Sequence, residues 1–113
     1  VQLDPPAWHA SIDKILAMNP ERLFLTHYGI LEQPAARAEQ LHKDLDAYLE
    51  MATALPPEGR YEKLFAQINE YHQQQVKAHG CELSNEELDR LIGSDNELCA
   101  QGLEVWMQRQ ERA

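Results

Sequence analysis

Helix-forming residues fill most of this chain, and β-branched residues are scarce. Ala, Leu, Glu, Gln and Arg lose little freedom in a helix, whereas strands favour Val, Ile and Thr. A chain so composed is constrained to be mainly helical, with proline and glycine dividing it into segments. Its 113 residues, 43% of them apolar, suffice for one modest domain with a packed core.

The segments follow from that punctuation. Asp4-Pro5-Pro6 opens a first helix, because Asp4 is a capping residue and proline is tolerated in the first turn. Trp8, Ile12, Ile15 and Leu16 share one face of it, and Asn19-Pro20 ends it. Leu23 to Thr26 reads as a short strand. Its unbroken apolar run is the pattern of a strand covered on both faces in a parallel sheet. Pro34 opens a second helix, with Ala38, Leu41, Leu45, Tyr48, Leu49, Ala52 and Leu55 at three-four spacing. Pro56-Pro57 separates it from a third, carrying Tyr61, Leu64, Phe65, Ile68, Tyr71 and Val76 and ending at Gly80. Two capping boxes follow, Ser84 with Glu87 and Ser94 with Glu97, and predict two more helices parted by Gly93. The expected fold is a mainly α small bundle of about five helices with at most one short strand near Leu23–Thr26. Residues 1–30 form a helix–strand–turn unit with no sheet of its own, and residues 31–113 form a helical domain.

The charge of −9 repels phosphate backbones and anionic lipid, so neither nucleic acid nor a membrane is an expected partner. No apolar run approaches the roughly 20 residues needed to span a bilayer, and no signal peptide is visible. Cys81 and Cys99 read as two free thiols of a cytoplasmic protein, with a disulfide between them left open. The chain begins at Val1, without methionine and within a loop-like stretch, as expected of a fragment or processed product.

Trp8 to Ile15 leads into Pro20-Glu21-Arg22-Leu23-Phe24-Leu25-Thr26-His27-Tyr28-Gly29. That passage resembles the closing segment of a metallo-β-lactamase-fold hydrolase, in which a late helix leads to a late strand that ends in a histidine on a tight turn. The stretch Leu98 to Trp106 is similar to the end of the helical extension that some of these proteins carry. The resemblance implies that His27 is a ligand of one of two catalytic zinc ions in an intact parent enzyme, with Gly29 supporting the turn. It implies hydrolysis of a small-molecule substrate there. The family's His-x-His-x-Asp-His cluster, its mid-chain ligand histidine and an identifiable bridging aspartate are not in this sequence, and Thr26 stands where a glycine often precedes the histidine. Residues 1–30 are then the remnant of the αββα domain and residues 31–113 the helical C-terminal domain. The chain by itself is expected to bind no zinc and to be inactive, since catalytic zinc takes about three protein ligands plus water.

The remaining candidates have plainer readings. His72 and His79 lack the i, i+4 spacing of helical zinc pairs and are expected to be solvated; His9 and His42 show no partner pattern. Trp8, Phe24, Phe65 and Trp106 are expected to anchor a core or an interface. Ser84 and Ser94 are explained as caps, and Glu39 with Lys43 as an i, i+4 ion pair. The alternative function is a self-standing helical interaction module. An unpaired strand attracts other strands, so self-association through residues 1–30 is expected.

Overall fold

The computed structural model describes residues 2–113. The fold is mainly helical, as the composition requires. Among the described residues the order is α1 (Pro5–Leu16), β1 (Arg22–Leu25), β2 (Gly29–Glu32), α2 (Pro34–Thr53), α3 (Arg60–Ala78) and α4 (Asn85–Arg112). No helix among them is long and apolar enough to cross a membrane.

The chain divides into two compact units, Asp4–Ala47 and Tyr48–Ala113 with Leu3. The division falls inside α2. The reason lies in the first half of α2, where Pro34, Ala38 and Leu41 line the same apolar concavity as Ile12 and Leu16 of α1 and Leu23 of β1.

In the Asp4–Ala47 unit, Asp4 caps α1 by accepting from the Ala7 N–H at 3.1 Å, and Pro5 occupies the first turn. The strand appears where the sequence puts it, but its setting differs. β1 pairs with β2 as an antiparallel hairpin, Leu23 opposite Leu31 and Phe24 opposite Ile30. Gly29, Ile30, Leu31 and Glu32 thus supply a second strand that the sequence reading lacked. Nor is β1 buried on both faces. Leu23 and Leu31 turn toward the concavity, while Phe24 is 76% and Ile30 57% exposed. Side chains alternate between faces in a strand, and a lone hairpin has only one face to cover.

In the other unit, Ala52 of α2, Leu64 and Ile68 of α3, and Ala100 and Leu103 of α4 form the core, with Phe65 and Trp106 packed around it. The Ser84–Glu87 capping box is formed: Ser84 Oγ accepts from the Glu87 N–H at 3.1 Å, and Glu87 Oε2 accepts from the Ser84 N–H at 2.8 Å. The second expected box is not a helix start. α4 runs unbroken through Gly93 and Ser94, so four helices replace the expected five among the described residues. Leu88, Asn96, Ala100 and Leu103 are all buried along it. That row continues past Gly93 at helical spacing and outweighs the roughly 1 kcal/mol a mid-helix glycine costs.

Candidate functional site

Three polar constellations stand out, one anticipated by the sequence and two not. The first is the hairpin tip. Thr26, His27 and Tyr28 form the turn between β1 and β2, and all three side chains are exposed. The His27 ring lies edge-on to that of Tyr28, with centroids 6.5 Å apart. Gly29 closes the turn with φ +84°, a conformation that side chains disfavour. Nothing but that conformation demands glycine there, because a Cβ would meet open space. Among the described residues, no group of three or more His, Cys, Asp or Glu side chains is placed to hold a metal ion. His27 sits on the turn after β1, with no such group around it among the described residues.

The second constellation joins α1 to the first half of α2. His9 Nδ1 faces His42 Nδ1 at 2.5 Å. The rings are within 19° of parallel with centroids 4.7 Å apart, so they meet nitrogen edge to nitrogen edge. Behind them, His9 Nε2 lies 3.1 Å from Asp46 Oδ1 and His42 Nε2 lies 3.0 Å from Asp13 Oδ1. The pattern is reciprocal. Each helix carries a histidine and, four residues later, an aspartate on the same face, and each histidine bonds the other helix's aspartate. Sequence reasoning missed it because contact across 33 positions is tertiary. The signal in the sequence was the His-x-x-x-Asp spacing occurring in two helices, at His9–Asp13 and His42–Asp46.

The third is the polar interior of the Tyr48–Ala113 unit. Here the expectation of a solvated His72 is corrected. Tyr48 Oη lies 2.5 Å from His72 Nε2, His72 Nδ1 lies 2.5 Å from Asn96 Oδ1, and Asn96 Nδ2 donates to Asn69 Oδ1 at 2.6 Å. With Asn96 Oδ1 able only to accept, His72 carries its proton on Nδ1 and accepts from the tyrosine hydroxyl. Asn96 is buried, and burial of a polar residue is tolerated because its partners are present. His79, by contrast, is exposed at the end of α3.

In the same unit, Arg60 is 1% exposed and clamped by two carboxylates of α4. Its Nε donates to Glu104 Oε2 at 2.7 Å, its Nη1 to Glu111 Oε1 at 2.6 Å, and its Nη2 to both at 3.2 Å. The guanidinium holds both carboxyls below the usual carboxylate range, and Glu111 first, then Glu104, raise the arginine in return. A buried arginine so completely partnered fastens the start of α3 to α4. Glu39 and Lys43 form their ion pair at 3.2 Å, on the surface. Cys81 and Cys99 are both free. Burial, with Asp95 nearby, pushes the Cys99 thiol up and keeps it protonated.

Compared with known proteins, the chain matches no family model, no curated protein and no solved structure.

Proposed function

We propose that this chain is the C-terminal part of a metal-dependent hydrolase of the metallo-β-lactamase fold. In this reading His27 is one ligand of a two-zinc site completed by residues outside this sequence, and residues 31–113 are the helical domain that accompanies it. The observation that carries the reading is the order α1, β1, His27, in which a helix feeds a short strand whose following turn carries an exposed imidazole. The bare Phe24–Ile30 face of the hairpin adds support, because a strand made for the interior of a larger sheet is apolar on both faces.

The chain's own contribution is positional. A three-residue turn, Thr26 to Tyr28, followed by Gly29 at positive φ, leaves the imidazole exposed. The zinc pair, when held in the parent, supplies a lowered water pKa and a polarised substrate oxygen. The fragment is inactive in this account, and the parent's small-molecule substrate stays undefined, since lactams, thioesters and phosphodiesters all suit the fold. The cytoplasm is the proposed compartment, supported by the two free cysteines. Determining the reading frame upstream of Val1 tests the assignment. A His-x-His-x-Asp-His segment there supports it, and a frame without one overturns it.

A second reading is favoured by a separate observation. The core of Tyr48–Ala113 closes on itself, and Met18, Phe24, Tyr28 and Ile30 expose apolar surface in the other unit. Those features suit a helical interaction module that self-associates through residues 1–30. Light scattering of the isolated chain across a concentration series separates a self-associating module from a monomer.

A further inference from the structure

The histidines of α1 and α2 meet at a point where a cation belongs. We propose that His9 and His42 form a binding site for a divalent transition-metal ion, ligated by their two Nδ1 atoms and oriented by Asp46 and Asp13. The site is separate from His27 and does not depend on the proposed hydrolase parentage.

The argument is one of donors and acceptors. A carboxylate only accepts, so each Nε2 that contacts an aspartate carries the ring proton and donates it. Each Nδ1 then presents a lone pair, and the two lone pairs converge across 2.5 Å. Two such nitrogens repel unless something positive lies between them, either one proton or a metal ion. Carboxylate behind imidazole is also the arrangement that fixes the tautomer of metal-binding histidines and raises their basicity. Here it occurs twice, in reciprocal form, on two helices.

The dimensions permit it. Zinc–nitrogen bonds of about 2.0–2.1 Å require the nitrogens to part by roughly 1 Å from their present separation. Both side chains are about a quarter to a third exposed, at 30% and 25%, which leaves room for that shift and for water to complete the coordination. Two carboxylates behind the ligands offset the ion's charge. Imidazole nitrogen selects zinc, copper or nickel over calcium and magnesium, which take oxygen.

The test titrates zinc chloride into the full chain at neutral pH and follows the histidine rings by proton–nitrogen correlation spectra. The expected result is one ion per chain, with large shifts at His9 and His42 Nδ1 and none at His27, His72 or His79. His42→Ala is expected to weaken binding at least about tenfold, and Asp13→Asn with Asp46→Asn about tenfold, since loss of such orienting partners costs that order in affinity. The double asparagine variant keeps size and hydrogen bonding, and so reports on the site even if alanine loosens α1. His27→Ala and His79→Ala are expected to bind as the wild type does. Equal affinity in His42→Ala, zinc shifts confined to His27 or His79, or no zinc-dependent shift at all would overturn the proposal; the last result assigns the gap to a shared proton.

Discussion

Phe24 stands directly opposite Ile30 across the antiparallel register of β1 and β2, and both side chains are exposed. A cross-strand apolar pair left bare on a two-stranded hairpin is an adhesive surface. Phe24→Glu places a charge in its centre without touching Leu23 or Leu31 on the other face. Wild-type chain is expected to self-associate as concentration rises, and Phe24→Glu to weaken that association at least about tenfold, read by light scattering. A wild type that stays monomeric at high concentration contradicts the expectation.

Arg60 and Glu104 predict an acid-sensitive fold. The Glu104 carboxyl is lowered in the folded state, chiefly by its hydrogen bonds to Arg60. A group lowered on folding stabilises above its unfolded value, near 4.3 for glutamate, and that stabilisation is lost as pH falls through the folded value. Stability is therefore expected to be level near neutrality and to fall below about pH 5. Glu104→Gln removes a charge from a buried arginine's partner set and is expected to cost about 2 kcal/mol at neutral pH and to flatten the acid limb. Chemical denaturation at several pH values measures both.

Gly93 distinguishes two pictures of α4. If it ended a helix, as the sequence suggests, alanine there would strain the chain. In the structure it is a mid-helix residue, and a Cβ would meet open space. Gly93→Ala is expected to stabilise by about 1 kcal/mol, seen as a higher melting temperature. A lower one restores the broken helix.

Cys99 packs against the core, and burial keeps it as the thiol. Titration with a thiol reagent is expected to find two free cysteines, with Cys99 slow in the native chain and fast once unfolded.

These cases show what the sequence carried and what it did not. Pro5, Pro34 and the Ser84–Glu87 box marked helix starts because capping and proline geometry act locally. The Ser94–Glu97 pair had the same local form, yet the buried row from Leu88 through Asn96 to Leu103 kept the helix continuous. β2 was not legible because Gly29 to Glu32 is short and its pairing with β1 is set by the turn. His27 was legible as a turn residue from the strand that precedes it. The partners of His9, His42 and His72 were not, since each is brought together by packing between helices.

The central claim is that His27 is a metal ligand of a larger hydrolase. Its most direct test is the zinc content of the protein made from the complete reading frame, wild type against His27→Ala, measured by elemental analysis after exhaustive dialysis. The expected result is a variant with at least one zinc ion fewer than the wild type, with hydrolytic turnover lost alongside. Equal zinc content in the two proteins, or none in the wild type, would contradict it.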